Sequence, residues 1–245
     1  MYVTDSQKGH ESHRKSMDCE RVEEKGRIMY KSVFISDTHL GTKGCKSDAL
    51  LSFLEQLETE QLFLVGDIID GWALRRRTYW PKEHSKIVRE IIKISEKVNV
   101  IYVPGNHDDF VRPFLRQNFD FGNFKIHKEY EYRTVDGRTI LITHGDRYDM
   151  WMRVPTKIIN FLAHFTDWIP ESEKKDQTIK RYVRSSRTEK VLRGYIRIRR
   201  KYDGVLCGHT HEPKIEGIYM NTGDWKKNCS YIVETKKGEF KLKYF

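Results

Sequence analysis

Ser32-Val33-Phe34-Ile35-Ser36-Asp37-Thr38-His39 is a short, mostly apolar run that ends on a polar triplet, and the same arrangement returns four more times. Gln61-Leu62-Phe63-Leu64-Val65 leads into Gly66-Asp67. Asn99 to Val103 leads through Pro104 into Gly105-Asn106-His107-Asp108. Arg138 to Thr143 leads into His144-Gly145-Asp146, and Val205 to Cys207 leads into Gly208-His209-Thr210-His211. Runs of this length and composition, closed by turn-forming residues, predict buried β-strands. Open α/β sheets present ligand-binding residues at the carboxyl ends of their strands. The five ends would therefore gather Asp, Asn and His side chains along one edge of a sheet, which makes an enzyme the leading expectation.

The intervening segments alternate with these strands. Asp48 to Glu60 carries Leu50, Leu51, Phe53, Leu54 and Leu57 at helical spacing, and His84 to Lys97 carries Ile87, Val88, Ile91, Ile92 and Ile94 likewise. Further on, Phe124 to His127, Glu129 to Val135, Ile215 to Met220, Ser230 to Thr235 and Glu239 to Tyr244 read as strands. Asp136-Gly137 and Lys237-Gly238 supply hairpin turns. Strand–helix alternation followed by strand-rich segments predicts an α/β fold with two packed sheets flanked by helices.

At 245 residues, with 33% charged residues and a mean hydropathy of −0.70, the chain is long enough for one large domain with a substantial core. Residues 1–29 are polar and without periodicity, which predicts a flexible tail before a domain over 30–245. No apolar stretch approaches the roughly 18–20 residues that span a bilayer, and the first residues lack the apolar core of a secretion signal. Cys19, Cys45, Cys207 and Cys229 are scattered and form no CxxC pair. That argues against a zinc knuckle or a disulfide scaffold, and for a reducing, cytoplasmic setting. The formal charge is +10, and residues 145–201 hold 15 Lys and Arg against 7 Asp and Glu. A basic patch of this kind suits an anionic partner, whether a phosphorylated substrate, an acidic lipid surface or nucleic acid, or is a solvated helical face. Nucleic acid is disfavoured, since no second domain of that type is evident, and nothing points to an obligate protein partner. Trp151, Val154, Ile158, Phe161, Leu162, Phe165, Trp168 and Ile169 recur at helical spacing, and a basic helix is predicted over about 177–201. His10, His13, His84, His127 and His164 are read as ordinary structural histidines.

Asp37, His39, Asp67, Asn106, His144, His209 and His211 are all capable of holding a metal. Mixed His and carboxylate ligation suits Mn, Fe, Zn or Co and not an all-oxygen calcium cage. A carboxylate such as Asp67 can bridge two cations, and the glycines beside these residues permit tight turns. His107, next to Asn106, is the candidate for protonating a leaving oxygen, with Asp70 or Asp108 as its orienting partner or as a turn cap. Arg75, Arg76, Arg77, Lys180, Arg181, Arg184 and Arg187 are candidates for phosphate contacts.

The set D-x-H, G-D, G-N-H-D, H-G-D and G-H-T-H, over about residues 31–225, resembles the calcineurin-like metallophosphoesterases. That resemblance implies two divalent cations, manganese foremost, with one held by Asp37, His39, Asp67 and His211. The other would be held by Asp67, Asn106, His144 and His209. Asp37-Thr38-His39-Leu40-Gly41, the run Gly66 to Trp72 and an insertion at about 147–201 are similar to the UDP-2,3-diacylglucosamine pyrophosphohydrolase branch. The likeness to this branch implies a helical lid, cleavage of a lipid-linked nucleotide pyrophosphate in lipid A synthesis, and peripheral contact with the inner membrane. Members of that branch commonly carry Arg where this chain has His107.

Overall fold

The computed structural model describes residues 29–116, 120–149 and 188–245. Ser32–Ile35 (β1), Gln61–Leu64 (β2) and Asn99–Tyr102 (β3) form a parallel core, with β1 beside β2 and β2 beside β3. Phe124–Ile126 (β5) extends it in parallel, and Asp120–Phe121 (β4) closes that edge. On the other side Ser230–Glu234 (β11) pairs antiparallel with β1, and Phe240–Tyr244 (β12) with β11. A second sheet runs in the order Tyr130–Arg133 (β6), Thr139–Ile142 (β7), Gly204–Cys207 (β8), Tyr219–Asn221 (β10) and Lys214–Glu216 (β9).

Alternate side chains of a strand face opposite sides, and the apolar residues divide accordingly. Phe34, Phe63, Val65, Ile101 and Val103 pack against Tyr132, Ile140, Ile142, Leu206 and Met220 between the sheets. Val33, Ile35, Leu62, Leu64 and Val100 face outward onto Ser47–Glu55 (α1) and Lys82–Ser95 (α3), which bury Leu50, Leu54, Ile87 and Ile91. Leu141, Val205 and Tyr219 on the outer face of the second sheet meet Leu192 and Ile196 of the helical stretch 188–199. Strands covered on both faces read as continuous apolar runs, which is why these were legible in the sequence. Glu234 is fully buried between the layers. It accepts hydrogen bonds from the Tyr132 hydroxyl and, at 2.8 Å, from the Val135 N–H, tying β11 to the β6 hairpin.

Several expectations change. The five motif-bearing strands do not share one sheet edge. β1, β2 and β3 belong to the seven-stranded sheet, and β7 and β8 to the five-stranded one. The run 215–220 is a hairpin, β9 and β10, because Gly217 adopts a left-handed φ of 56° and reverses the chain. The first helix stops at Glu55, short of Glu60. Gly71–Arg76 (α2) forms a short helix that periodicity does not show. Its first turn is capped by Asp70, which accepts from the Ala73 N–H at 2.7 Å. The expected tail (but for Met29), the aromatic stripe 151–169, and Lys180, Arg181, Arg184 and Arg187 lie outside the described residues. No helix among the described residues is long and apolar enough to cross a membrane.

Candidate metal centre

The turns after β1, β2, β3, β7 and β8 meet where the carboxyl ends of the two sheets face each other. Five of the seven candidate ligands sit in left-handed backbone: Asp37 (φ 53°), His39 (48°), Asp67 (53°), His209 (68°) and His211 (60°). This conformation costs an L-residue roughly 1–2 kcal/mol, and such strain concentrates at functional sites. Glycine is required beside them for space. A Cβ on Gly105 would overlap the Asp67 carboxylate and lie 2.7 Å from the His144 ring, and one on Gly208 would overlap the Asp37 carboxylate.

The two buried carboxylates are held alike. Asp67 Oδ1 accepts from the His107 backbone N–H at 2.8 Å. Its Oδ2 faces three imidazoles, His144 Nε2 at 3.3 Å, His39 Nε2 at 3.8 Å and His107 Nε2 at 3.9 Å. Asp37 Oδ2 accepts from the His209 N–H at 2.9 Å and from the Ser36 hydroxyl. Its Oδ1 faces His211 Nε2 at 3.1 Å and His39 Nε2 at 3.8 Å. Asp37, His39 and His211 form one cluster whose donor atoms lie within 4.8 Å of one another, and Asp67, His144 and His209 form another. His39 Nε2 stands 3.4 Å from His211 Nε2.

Each histidine is oriented from behind, the arrangement usual for metal ligands. His39 Nδ1 contacts Asp70 Oδ2 at 3.0 Å, and His144 Nδ1 donates to the Val65 carbonyl at 2.9 Å. His209 Nε2 contacts Asp149 at 3.0 Å, and His211 Nδ1 lies 3.6 Å from Asp224. For His39, His144 and His211 the nitrogen left over, Nε2, is the one that faces the Asp37 or Asp67 carboxylate. Asp149 and Asp224 escaped the sequence reading; Asp149 lies shortly after the His144-Gly145-Asp146 motif, while Asp224 follows β10 and carries no motif signal. The site fits a metal by a further observation: Asp37 Oδ1, Asn106 Oδ1 and His144 Nε2 are buried side-chain atoms without a hydrogen-bond partner. Such orphans cost 1–3 kcal/mol each unless a ligand occupies the cleft.

Two candidate orienting groups for His107 separate. Asp70 Oδ1 stands 2.9 Å from His107 Nδ1, and the ring lies over Trp72 at 4.3 Å between centroids. Asp108 instead accepts from the N–H groups of Ile68, Ile69 and Gly105 at 3.0, 2.8 and 3.3 Å, a structural staple. Burial and the Asp67 charge push its carboxyl up to about 6. Arg75 is exposed and paired with Asp109 at 3.2 Å, while Arg76 and Arg77 are exposed at the end of α2.

Burial works against charge throughout; it prevails at His39, which is lowered, while at His211, His144, Asp37 and Asp67 the opposed groups prevail. His211 is raised to about 9 by Asp37 and Asp224 despite its burial, and His144 is raised by Asp67 and Asp37 despite complete burial. Asp37 and Asp67 are correspondingly held below the usual carboxylate range by these imidazoles. In the metal-free protein the two carboxylates favour the protonated form of His211 and His144, and a cation bound there would displace that proton. Manganese affinity is therefore expected to rise with pH from 6 through about 9, with proton release on binding. Calorimetry in buffers of different ionisation enthalpy measures this, and a pH-independent affinity would contradict it.

The chain is 24% identical over 225 residues to the UDP-2,3-diacylglucosamine hydrolase of Blochmanniella pennsylvanica, covering 82% of this chain and 85% of that one. It is 22% identical over 163 residues to the DNA polymerase II small subunit of Methanothermobacter thermautotrophicus, covering 53% of this chain and 33% of the subunit. The chain thus spans only about a third of that relative's length. Among solved structures, Yfce, a phosphoesterase from E. coli, aligns over 86% of this chain and 97% of its own at 15% identity, with a TM-score of 0.44. The calcineurin-like phosphoesterase model matches residues 30–213, and with its two-sheet fold and His/Asp clusters in place, the chain belongs to that family.

Proposed function

We propose that the chain hydrolyses a phosphoanhydride or phosphodiester at a centre of two divalent cations. Asp37, His39, Asp67 and His211 would hold one cation, and Asp67, Asn106, His144 and His209 the other. The observation that carries this reading is Asp67 Oδ2, which is faced by an imidazole from each cluster, His39 at 3.8 Å and His144 at 3.3 Å. Cations bound there supply Lewis acidity towards the phosphoryl oxygens and lower the pKa of a bound water. The chain's own residues do the rest. His107, held by Asp70 and stacked on Trp72, is placed to give a proton to the leaving oxygen. Asp70 and the Val65 carbonyl fix the tautomers of His39 and His144 so that their Nε2 atoms face the cleft.

The finer reading is a UDP-2,3-diacylglucosamine-type pyrophosphohydrolase working at an anionic membrane face, with manganese as its metal. The relative named for that substrate covers four fifths of the chain and supports it. A phosphodiesterase or phosphatase of the same fold acting on a soluble nucleotide or nucleic-acid substrate is the second reading, favoured by the general G-N-H-D form at residues 105–108. Manganese-loaded protein given UDP-2,3-diacylglucosamine and bis-p-nitrophenyl phosphate side by side decides between them. Release of uridine monophosphate is expected. Turnover of the generic diester alone would sink the lipid substrate and leave the chemistry standing, and turnover of neither would sink both.

A further inference from the structure

Arg112 joins two of the metal-bearing turns from outside the cleft. It lies on the 3-10 helix Asp109–Arg116, which is held from several sides. Val111 is buried in the outer core, and its N–H donates to the Asp108 carbonyl at 2.9 Å. Asp109 pairs with Arg75 of α2 at 3.2 Å. From this base one nitrogen, Arg112 Nη2, donates to the Gly105 carbonyl at 3.1 Å and to Asp146 Oδ2 at 2.6 Å.

The two acceptors belong to different layers. Gly105 is in the turn after β3 of the larger sheet, and Asp146 is in the turn after β7 of the smaller one. The guanidinium is therefore a clasp across the sandwich, closed on the two turns that carry Asn106 and His144. Those turns already touch, since a Cβ on Gly105 would stand 2.7 Å from the His144 ring. Asn106 follows Gly105 directly, and His144 precedes Asp146 by two residues. Asn106 Oδ1 and His144 Nε2 are two of the buried atoms left without a hydrogen-bond partner. The cluster of Asp37, His39 and His211 is backed from elsewhere, by Asp70 and Asp224. Arg112 is half-buried, and a pair that meets solvent adds little to global stability. A short, charge-assisted bond is nevertheless stiff and directional, and this one spans the gap between two candidate ligands.

We propose that Arg112 is a positioning residue for the second cation. By clasping the Gly105 and Asp146 turns it sets the separation of Asn106 from His144 across the two sheets. It thereby sets the affinity of the site that Asp67, Asn106, His144 and His209 would form. This rests on the two-cation reading. Arg112 acts through the two turns and takes no part in bond cleavage.

The test is manganese binding to the full chain, measured by calorimetry and by electron paramagnetic resonance, which tells a coupled pair of ions from a single one. The wild type should take up two ions and show the coupled pair. Arg112→Gln should lose roughly tenfold or more in affinity at one site, the usual effect of removing a group that supports a ligand. The other site should move by less than about twofold, so that a single-ion spectrum grows at the expense of the pair. Asp146→Asn breaks the same clasp from the other side and should reproduce this selective loss. Arg112→Lys, which keeps the charge without the planar fork, should recover part of it. The Arg112→Gln effect should shrink in an Asn106→Ala background and persist in a His211→Ala background, because only Asn106 shares its site. Equal weakening at both sites, or at neither, would overturn the proposal, as would an undiminished effect in the Asn106→Ala background. A wild type that binds no more than one manganese would overturn the two-cation reading and this proposal with it.

Discussion

Replacing Asp67 by Ala is expected to lower kcat/KM for every phosphoester the protein turns over by about 10³-fold or more, with bound manganese falling in parallel. The expectation follows from position. Asp67 Oδ2 is faced by His39, His107 and His144, so its removal takes a charge from both clusters at once. Asp67→Asn is the sharper variant, because its amide oxygen can still accept the His107 N–H at the Oδ1 position and hold the turn. Metal content by mass spectrometry and turnover should fall together in both variants. Wild-type activity at wild-type metal content in Asp67→Asn would remove this residue from the centre.

Asp70→Asn is expected to cost about 10²-fold in kcat, with a smaller loss of metal affinity. One carboxylate here does three things. It stands 3.0 Å from His39 Nδ1 and 2.9 Å from His107 Nδ1, and it caps α2 through the Ala73 N–H at 2.7 Å. Asn keeps the oxygen that caps the helix and faces His107, but sets an amide NH2 in place of the oxygen 3.0 Å from His39 Nδ1 and removes the negative charge between the two imidazoles. The thermal midpoint should therefore change little while turnover drops. A lowered midpoint with unchanged kcat would reduce Asp70 to a helix cap.

Much of this was legible in the sequence, and the reason is physical. β1, β2 and β3 are buried on both faces, so they stand out as apolar runs, and the polar residues that follow them are forced into the turns. The seven candidate ligands were named from that pattern, and the structure brings six of them into two of its three His/Asp clusters and leaves Asn106 with a buried, unpartnered carbonyl oxygen. Sheet membership was not legible. Whether β7 joins β3 or β8 depends on pairings far apart in the chain, and strand periodicity carries no information about them. The backing groups were equally hidden. Asp149 and Asp224 look like any loop aspartate until the fold sets them behind His209 and His211. α2 is too short to show a period, and its origin lies in the Asp70 cap.

The division of the ligands between two sheets has a mechanical side. Asp37, His39, Asp67 and Asn106 are carried by the larger sheet, and His144, His209 and His211 by the smaller. Anything that binds all of them at once closes a short circuit of bonds between layers that otherwise adhere through apolar side chains and a few polar links such as Glu234 to Tyr132. Occupancy of the cleft thereby rivets the sandwich, and the relative sliding of its layers becomes a motion that the bound state forbids.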